Sequence, residues 1–410
     1  MSPVQRMTDF ACMKVKRSKY VAYFTGEGLI PDLSGLLSGK IEMKLERKVI
    51  AASAIAEAET LLSIDEFNEL FCISTYSWTE VSSLDEPSEE RFTRWAKAGL
   101  LLTDIQDGWA RAYCQREETL DRDLWHCRSA IFHFLAKWKG VALFADAGEK
   151  EDPYLFAVRQ LAGNIDAWQK FAPPPDPFWN HPNVLTSLPL PPPCMDGAGE
   201  FLQTLTSRCS TRHFDHEACL PLDRLSSILY YAFAPQGIAQ SVYTAVHKTS
   251  PSGGGLHPTE AYLLVRKVDG LQPGLYHYNS ARHRLDKLKD LTEAEASKKA
   301  LKYAAGQPYV RSCAAAIILS TRFYRNHWKY RRNERTYLVL AMDIGHLGQT
   351  LYLLSTYFKL GGFFTAAVNA SDIEHDLGID GAQQGVMAMF VIGIRHSEAR
   401  PEFAPYEGEV

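Results

Sequence analysis

Cysteine is sparse and unpatterned in this chain. Its eight residues, Cys12, Cys72, Cys114, Cys127, Cys194, Cys209, Cys219 and Cys313, form no Cys-x-x-Cys pair. That argues against a structural zinc site and against a redox dithiol, and a reducing cytoplasm is the expected setting. Long apolar runs are missing as well. No stretch approaches the roughly 20 residues of a membrane helix, so no membrane partner is expected. Met1 to Tyr20 is polar and basic without an apolar core, and no signal peptide is expected. Nor is positive charge in excess. Lys and Arg total 44 against 48 Asp and Glu, a net charge of -4, which provides no basic field for nucleic acid. A Gly-x-Ser-x-Gly elbow is absent, so Ser-His-Asp hydrolysis is not supported.

What remains is ordinary globular material: 410 residues, 46% hydrophobic and 22% charged, enough for two or three domains. Tyr20 to Phe24 reads as a strand. Val49 to Ala58 is Ala-rich and helical in propensity. Ser63 with Glu66 is a capping box opening a helix whose face carries Ile64, Phe67, Leu70 and Phe71. A second helix starts near Pro87-Ser88, carries Phe92, Trp95 and Ala96, and ends at Gly99. Leu100 to Thr103 is a short strand, with Gln106 to Trp109 as the turn into its hairpin partner. Helix, helix, hairpin is a winged-helix order. The acidic start of the second helix, Glu86 to Glu90, suits phosphate poorly, so peptide binding or packing is preferred to DNA. Leu124 to Trp138 is a further amphipathic helix.

Phe171 to Cys194 holds nine of the chain's 21 prolines, which favours extended polyproline II. The expected division is therefore a helical, winged-helix-like domain over 1–140, a Pro-rich linker over 141–196, a second domain over 197–400 and a tail over 401–410. In the second domain, Leu222 to Ala234 is an amphipathic helix. Tyr262–Val268, Leu275–Tyr278, Ala314–Ser320 and Met387–Ile394 read as strands. Thr336 to Phe358 is a long apolar helix whose Gly345, Gly348 and Ser355 permit close approach, either as the central helix or as a subunit contact. Helices mixed with non-alternating strands suggest an α+β sandwich.

Two segments carry candidate chemistry. Ser250 to Tyr262 contains Ser252 and three consecutive glycines, which let backbone lie against a flat ligand. It opens onto a strand, unlike a phosphate loop, which opens onto a helix. Taken alone, it is more often just a turn. Arg208 to Phe214, if extended, shows Arg208, Ser210 and Arg212 on one face. Guanidiniums and a hydroxyl suit phosphate, although such a segment alone is more often a solvated basic turn.

Together these segments resemble the flavin-binding domain of the nitroreductase superfamily. The likeness rests on Arg208-x-Ser210-x-Arg212-x-Phe214, on Pro251 to Tyr262, and on Gly274 to Tyr278. Trp328-Lys329-Tyr330 to Tyr337, followed by Asp343 to Gln349, is similar to the Lys-Tyr-x-x-Arg and Gly-His-x-x-Gln motifs of SagB-type dehydrogenases, and the chain resembles the peptide maturation dehydrogenases among them. The likeness spans about Leu188 to Arg395. It implies a homodimer with FMN at the subunit interfaces. Arg208, Ser210 and Arg212 match the motif that holds FMN, and Pro251, Ser252, Gly253 and Gly254 the loop along its ring system. His257 lies in that loop and is ranked ahead of His277 and His346. Arg395 and Arg400 are candidates for an additional phosphate contact. Lys329 and Tyr330 match the catalytic pair of peptide azoline oxidation, in which a lysine of lowered pKa or a tyrosine beside it takes the proton.

The implied function is FMN-dependent oxidation of thiazoline or oxazoline rings in a ribosomal peptide, with the precursor peptide and a cyclodehydratase or other maturation enzyme as partners. One alternative keeps the flavin and reduces dehydroamino acids or small nitro or quinone compounds. Another is a flavin-bound peptide-binding or regulatory protein without catalysis.

Overall fold

The computed structural model describes residues 12–32, 42–84, 87–105, 108–143, 199–240 and 242–397. The Pro-rich segment and Arg400 lie outside the described residues. Two compact units emerge. The first comprises residues 1–137, 322–341 and 379–385; the second comprises 138–321, 342–378 and 386–410.

The first unit contains two three-stranded sheets. Strand β1 (Lys14–Arg17) is followed by β2 (Val21–Asp32), β3 (Glu42–Ser53) and β4 (Ala58–Leu62). Strands β2, β3 and β4 form one antiparallel sheet. The Ala-rich segment expected to be helical is thus the end of β3 and the turn after it. The reason is tertiary: Ala51 and Ala52 are paired on both sides and fully buried. A ladder on each edge outweighs the few tenths of a kcal/mol, roughly, by which alanine favours helix.

The helix Ile64–Cys72 has the expected capping box between Ser63 and Glu66. Glu89–Lys97 follows, capped by Ser88, and buries Phe92, Trp95 and Ala96. The expected hairpin does not form. Strand β6 (Leu101–Thr103) pairs with β1, which also pairs with the two-residue β5 (Thr79–Glu80). The chain after β6 is the helix Gly108–Arg122, which buries Ala110 and Leu120. Its apolar residues recur at helical rather than alternating spacing.

In the second unit the helix Leu222–Phe233 precedes a small hairpin of β7 (Gly237–Gln240) and β8 (Thr244–His247). The main sheet comprises β9 (Thr259–Val265), β10 (Gly274–Asn279), β11 (Arg284–Asp290), β12 (Ala315–Arg322), β13 (Gly361–Thr365) and β14 (Gln384–Gly393), in the order β11-β10-β9-β12-β14-β13. Pairs β9–β10, β10–β11, β9–β12 and β13–β14 are antiparallel. One face of β9 (Ala261, Leu263, Val265) joins a core with Leu225, Ile228, Leu347, Leu351 and Phe390. That core seats the helix Arg335–Tyr357 on the sheet. A Cβ at Gly348 would meet the Phe364 ring at 2.8 Å, so glycine permits this helix-to-strand approach. Among the described residues no helix is long and apolar enough to cross a membrane.

Candidate functional site

Arg208 to Phe214 is stitched to two strands. The Thr211 N–H donates to the Gly362 carbonyl at 2.8 Å, and the Asp215 N–H donates to Ile394 at 2.9 Å. Phe214 forms a bridge with Arg395, and the His396 N–H donates to His213 at 3.1 Å. Phe214 is held by glycines: a Cβ at Gly361 or Gly393 would lie 3.0 Å from its ring. These contacts anchor the segment beside β13 and the end of β14 and set Arg395 opposite Phe214.

Tyr352, on the long helix, meets the same segment. Ser210 Oγ lies 2.9 Å from the Tyr352 hydroxyl, which also accepts the Phe364 N–H at 2.9 Å. The Arg208 guanidinium sits 5.2 Å from the Tyr352 ring centroid, and that of Arg212 lies 5.0 Å from Phe363. The Arg395 Nε is buried and has no hydrogen-bond partner among the described residues. Neither Arg208 nor Arg395 is paired with a carboxylate among them.

The glycine loop is held from the other side. Gly253–Gly255 is one tight turn with Gly254 at φ 70°. Ser252 donates to Asp343 Oδ2 at 2.5 Å, and the Gly253 N–H donates to Oδ1 at 3.1 Å. The His257 N–H donates to Ser252 Oγ at 3.0 Å, and the Tyr243 hydroxyl donates to the Gly254 carbonyl at 2.9 Å. Ser250 Oγ is 2.6 Å from Thr350 Oγ1. Pro251, Ser252, His257, Lys248 and Asp343 line a crevice. Burial pushes the Asp343 pKa up, and its bonds to Ser252 and Gly253 pull it back.

One helix, Arg335–Tyr357, therefore fixes both candidate segments, the loop through Asp343 and Thr350 and the arginine segment through Tyr352. Sequence reasoning did not single out these three. A signal was present: Asp343 is the one acidic residue in that 23-residue, mostly apolar helix. His277 lies on β10, 3.4 Å from Glu260, and His346 is exposed on the long helix.

Lys329 and Tyr330 belong to the first unit. They end the helix Phe323–Tyr330, which stops at Arg331 with φ 55°. Both are partly exposed, with Lys329 Nζ 5.5 Å from the Tyr330 ring centroid. The buried face of this helix packs on Trp125, whose ring centroid is 4.6 Å from Phe323 and 4.7 Å from His327. The Trp125 N–H donates to the Ala382 carbonyl at 3.1 Å. His133 bridges the Tyr337 hydroxyl and the Gly381 carbonyl, each at 3.0 Å.

The six-stranded sheet, its long helix and the separate N-terminal region define an α+β protein with a nitroreductase fold in its C-terminal half. Residues 205–394 match the nitroreductase family, so the chain carries a nitroreductase-family domain. Over 190 residues it is 34% identical to the trifolitoxin-processing protein TfxB of Rhizobium leguminosarum bv. trifolii, covering 44% of this chain and 50% of that one. The chain thus spans about half the length of that curated relative. Among solved structures, it is similar to a chain of the E. coli microcin synthetase McbBCD complex with truncated pro-MccB17 bound. The identity is 18%, the TM-score 0.44, and the match covers 60% of this chain and 95% of that one. It is also similar to the NADPH:FMN oxidoreductase of Vibrio harveyi complexed with NAD+, at 16% identity and TM-score 0.35, over 51% of this chain and 73% of that one.

Proposed function

We propose that this protein is an FMN-dependent dehydrogenase of the SagB type, oxidising thiazoline or oxazoline rings in a ribosomally made peptide. One observation carries the cofactor reading. Arg208 and Ser210 both meet Tyr352, Arg395 is bridged to Phe214 at the end of the same segment, and the Arg395 Nε is buried without a partner among the described residues. A buried guanidinium N–H without an acceptor is costly unless an outside group meets it. A phosphate monoester suits guanidiniums and a hydroxyl, and FMN carries one. The glycine loop offers little side-chain bulk beside a planar ring. When bound, FMN would supply the hydride acceptor, and each turnover would need an external two-electron oxidant such as dioxygen.

The chain's own residues supply the rest. Arg208, Ser210, Arg212 and Arg395 hold the phosphate end. Pro251 to Gly254 and His257 border the ring. Lys329 and Tyr330 take the proton that leaves the azoline carbon as its neighbour loses a hydride. The substrate class is supported by the 34% identity to a protein named for trifolitoxin processing. The test is mass spectrometry of a co-expressed precursor, which should lose the mass of two hydrogen atoms per ring. A gain of that mass would establish the alternative, a flavin-dependent reductase.

The same proposal makes the protein a homodimer. Met342 is 53% exposed on the long helix, and nothing among the described residues stands within 4 Å of a Cβ placed at Gly345, one turn on. An apolar side chain beside an open glycine suits close helix contact with a second copy. Light scattering should give twice the chain mass, and a flavin-loaded monomer would refute the dimer.

A further inference from the structure

Asp343 is buried to 4% exposure, and among the described residues no lysine or arginine is paired with it. A carboxylate in that position gives up water for neutral donors, at a cost its hydrogen bonds must offset. Those donors are the Ser252 hydroxyl and the Gly253 N–H. Both hydrogens are directed at Asp343, so neither is offered outward from the loop. Two further ties pass through Ser252: its Oγ accepts the His257 N–H, and its carbonyl accepts the Gly255 N–H at 2.9 Å.

The loop needs an outside tie. Gly254, Gly255 and His257 all have positive φ, at 70°, 65° and 43°. For histidine that conformation is uncommon and persists where surrounding contacts over-determine it. Asp343 is one such tie, holding Ser252 and Gly253 directly and His257 through Ser252.

We propose that Asp343 is the positioning residue of the flavin-facing loop, with Ser252 serving as its relay to His257 rather than as a direct ligand of the cofactor. This rests on the flavin reading above. It differs from that reading in what it requires of Ser252, whose bonding capacity is turned into the protein.

Riboflavin and FMN separate the two readings, because riboflavin has no phosphate. Binding of each is followed by quenching of flavin fluorescence on the full chain. Asp343→Asn should weaken both flavins by the same factor, roughly tenfold or more, as for loss of hydrogen bonds to a charged group. Arg208→Ala should weaken FMN alone. Ser252→Ala should weaken both flavins in the wild-type background and add nothing in the Asp343→Asn background. A full further loss there would mean that Ser252 touches the flavin, which overturns the relay. Unchanged affinity in Asp343→Asn overturns the positioning role. If wild-type protein binds neither flavin, the flavin reading fails and takes this proposal with it.

A second measurement reads Asp343 through pH. Protonating the carboxyl removes one acceptor, so riboflavin affinity should fall as the pH is lowered, and this fall should be absent in Asp343→Asn. The other titratable groups at the site are His257 on the loop, His346 on the helix and Lys248 in the crevice lining. The profile is therefore recorded with His257→Gln and His346→Gln in place. A flat wild-type profile in that background refutes the proposal.

Discussion

Arg208 and Arg395 place guanidiniums where neither finds a carboxylate among the described residues; Arg208 sits over Tyr352 and Arg212 over Phe363. If FMN phosphate is their partner, removing two of the three should be expensive. Charge-assisted contacts contribute about 1.5–3 kcal/mol each, so Arg208→Ala with Arg212→Ala should weaken FMN binding by about 10²–10⁴-fold, measured by fluorescence titration. Lys329 and Tyr330 should behave in the opposite way. Lys329→Ala with Tyr330→Phe should leave FMN binding intact, while peptide turnover falls by about 10²–10⁴-fold, the range for loss of a general acid or base. Near wild-type turnover in that double variant would remove both from the mechanism. The sequence singles these residues out because their order along the chain is a motif. It does not single out Asp343, Thr350 and Tyr352, since their meaning depends on which loop the helix happens to face.

At the scale of elements, local signals were reliable where the end of an element is chemically marked. The Ser63–Glu66 capping box is present as read, and so is the long helix with its Gly348 approach. The signals failed where pairing partners decide. Ala51 and Ala52 became strand because β2 and β4 flank them, and β6 took β1 as its partner from far earlier in the chain. Strand β11 and the Gly-Gly strand β13 also went unrecognised, one being largely exposed and charged and the other opening on two glycines.

Packing of the helix Phe323–Tyr330 has a consequence for pH. Burial lowers the pKa of His133 to about 3 and that of His327 to about 4, from 6.5. The unfolded chain binds protons at both sites below 6.5, and the folded chain refuses them until far lower. Their neutral packing therefore contributes fully above pH 6.5, and that contribution is lost as the pH falls from 6.5 toward 4 and 3. Urea unfolding followed by tryptophan fluorescence should show lower stability at pH 5 than at pH 7. The difference should shrink in His133→Gln.

For the molecule as a whole, chain order and spatial grouping disagree. Residues 322–341 and 379–385 lie within the nitroreductase-like half of the sequence, yet they cluster with residues 1–137. The proposed proton-transfer pair is therefore packed by the N-terminal region, whereas the proposed phosphate and ring contacts belong to the other unit. Trp125 is the keystone of that packing. It is fully buried, bonds Ala382, and faces Phe323, His327, His133 and Tyr337 with centroids 4.6–6.3 Å away. Trp125→Ala should destabilise this unit by about 3–5 kcal/mol, as for other deletions of a large buried aromatic. The helix ending in Lys329 and Tyr330 would lose its support, while Arg208, Ser210, Arg212 and Arg395 would keep theirs. The expected variant is yellow, binds FMN with near wild-type affinity, and turns over peptide poorly. Trp125→Phe keeps part of the ring surface and should recover part of the rate. If Trp125→Ala protein processes its peptide as fast as wild type, the N-terminal region does not serve the reaction by holding this helix. If it loses FMN and turnover together, the division of labour between the two units is wrong.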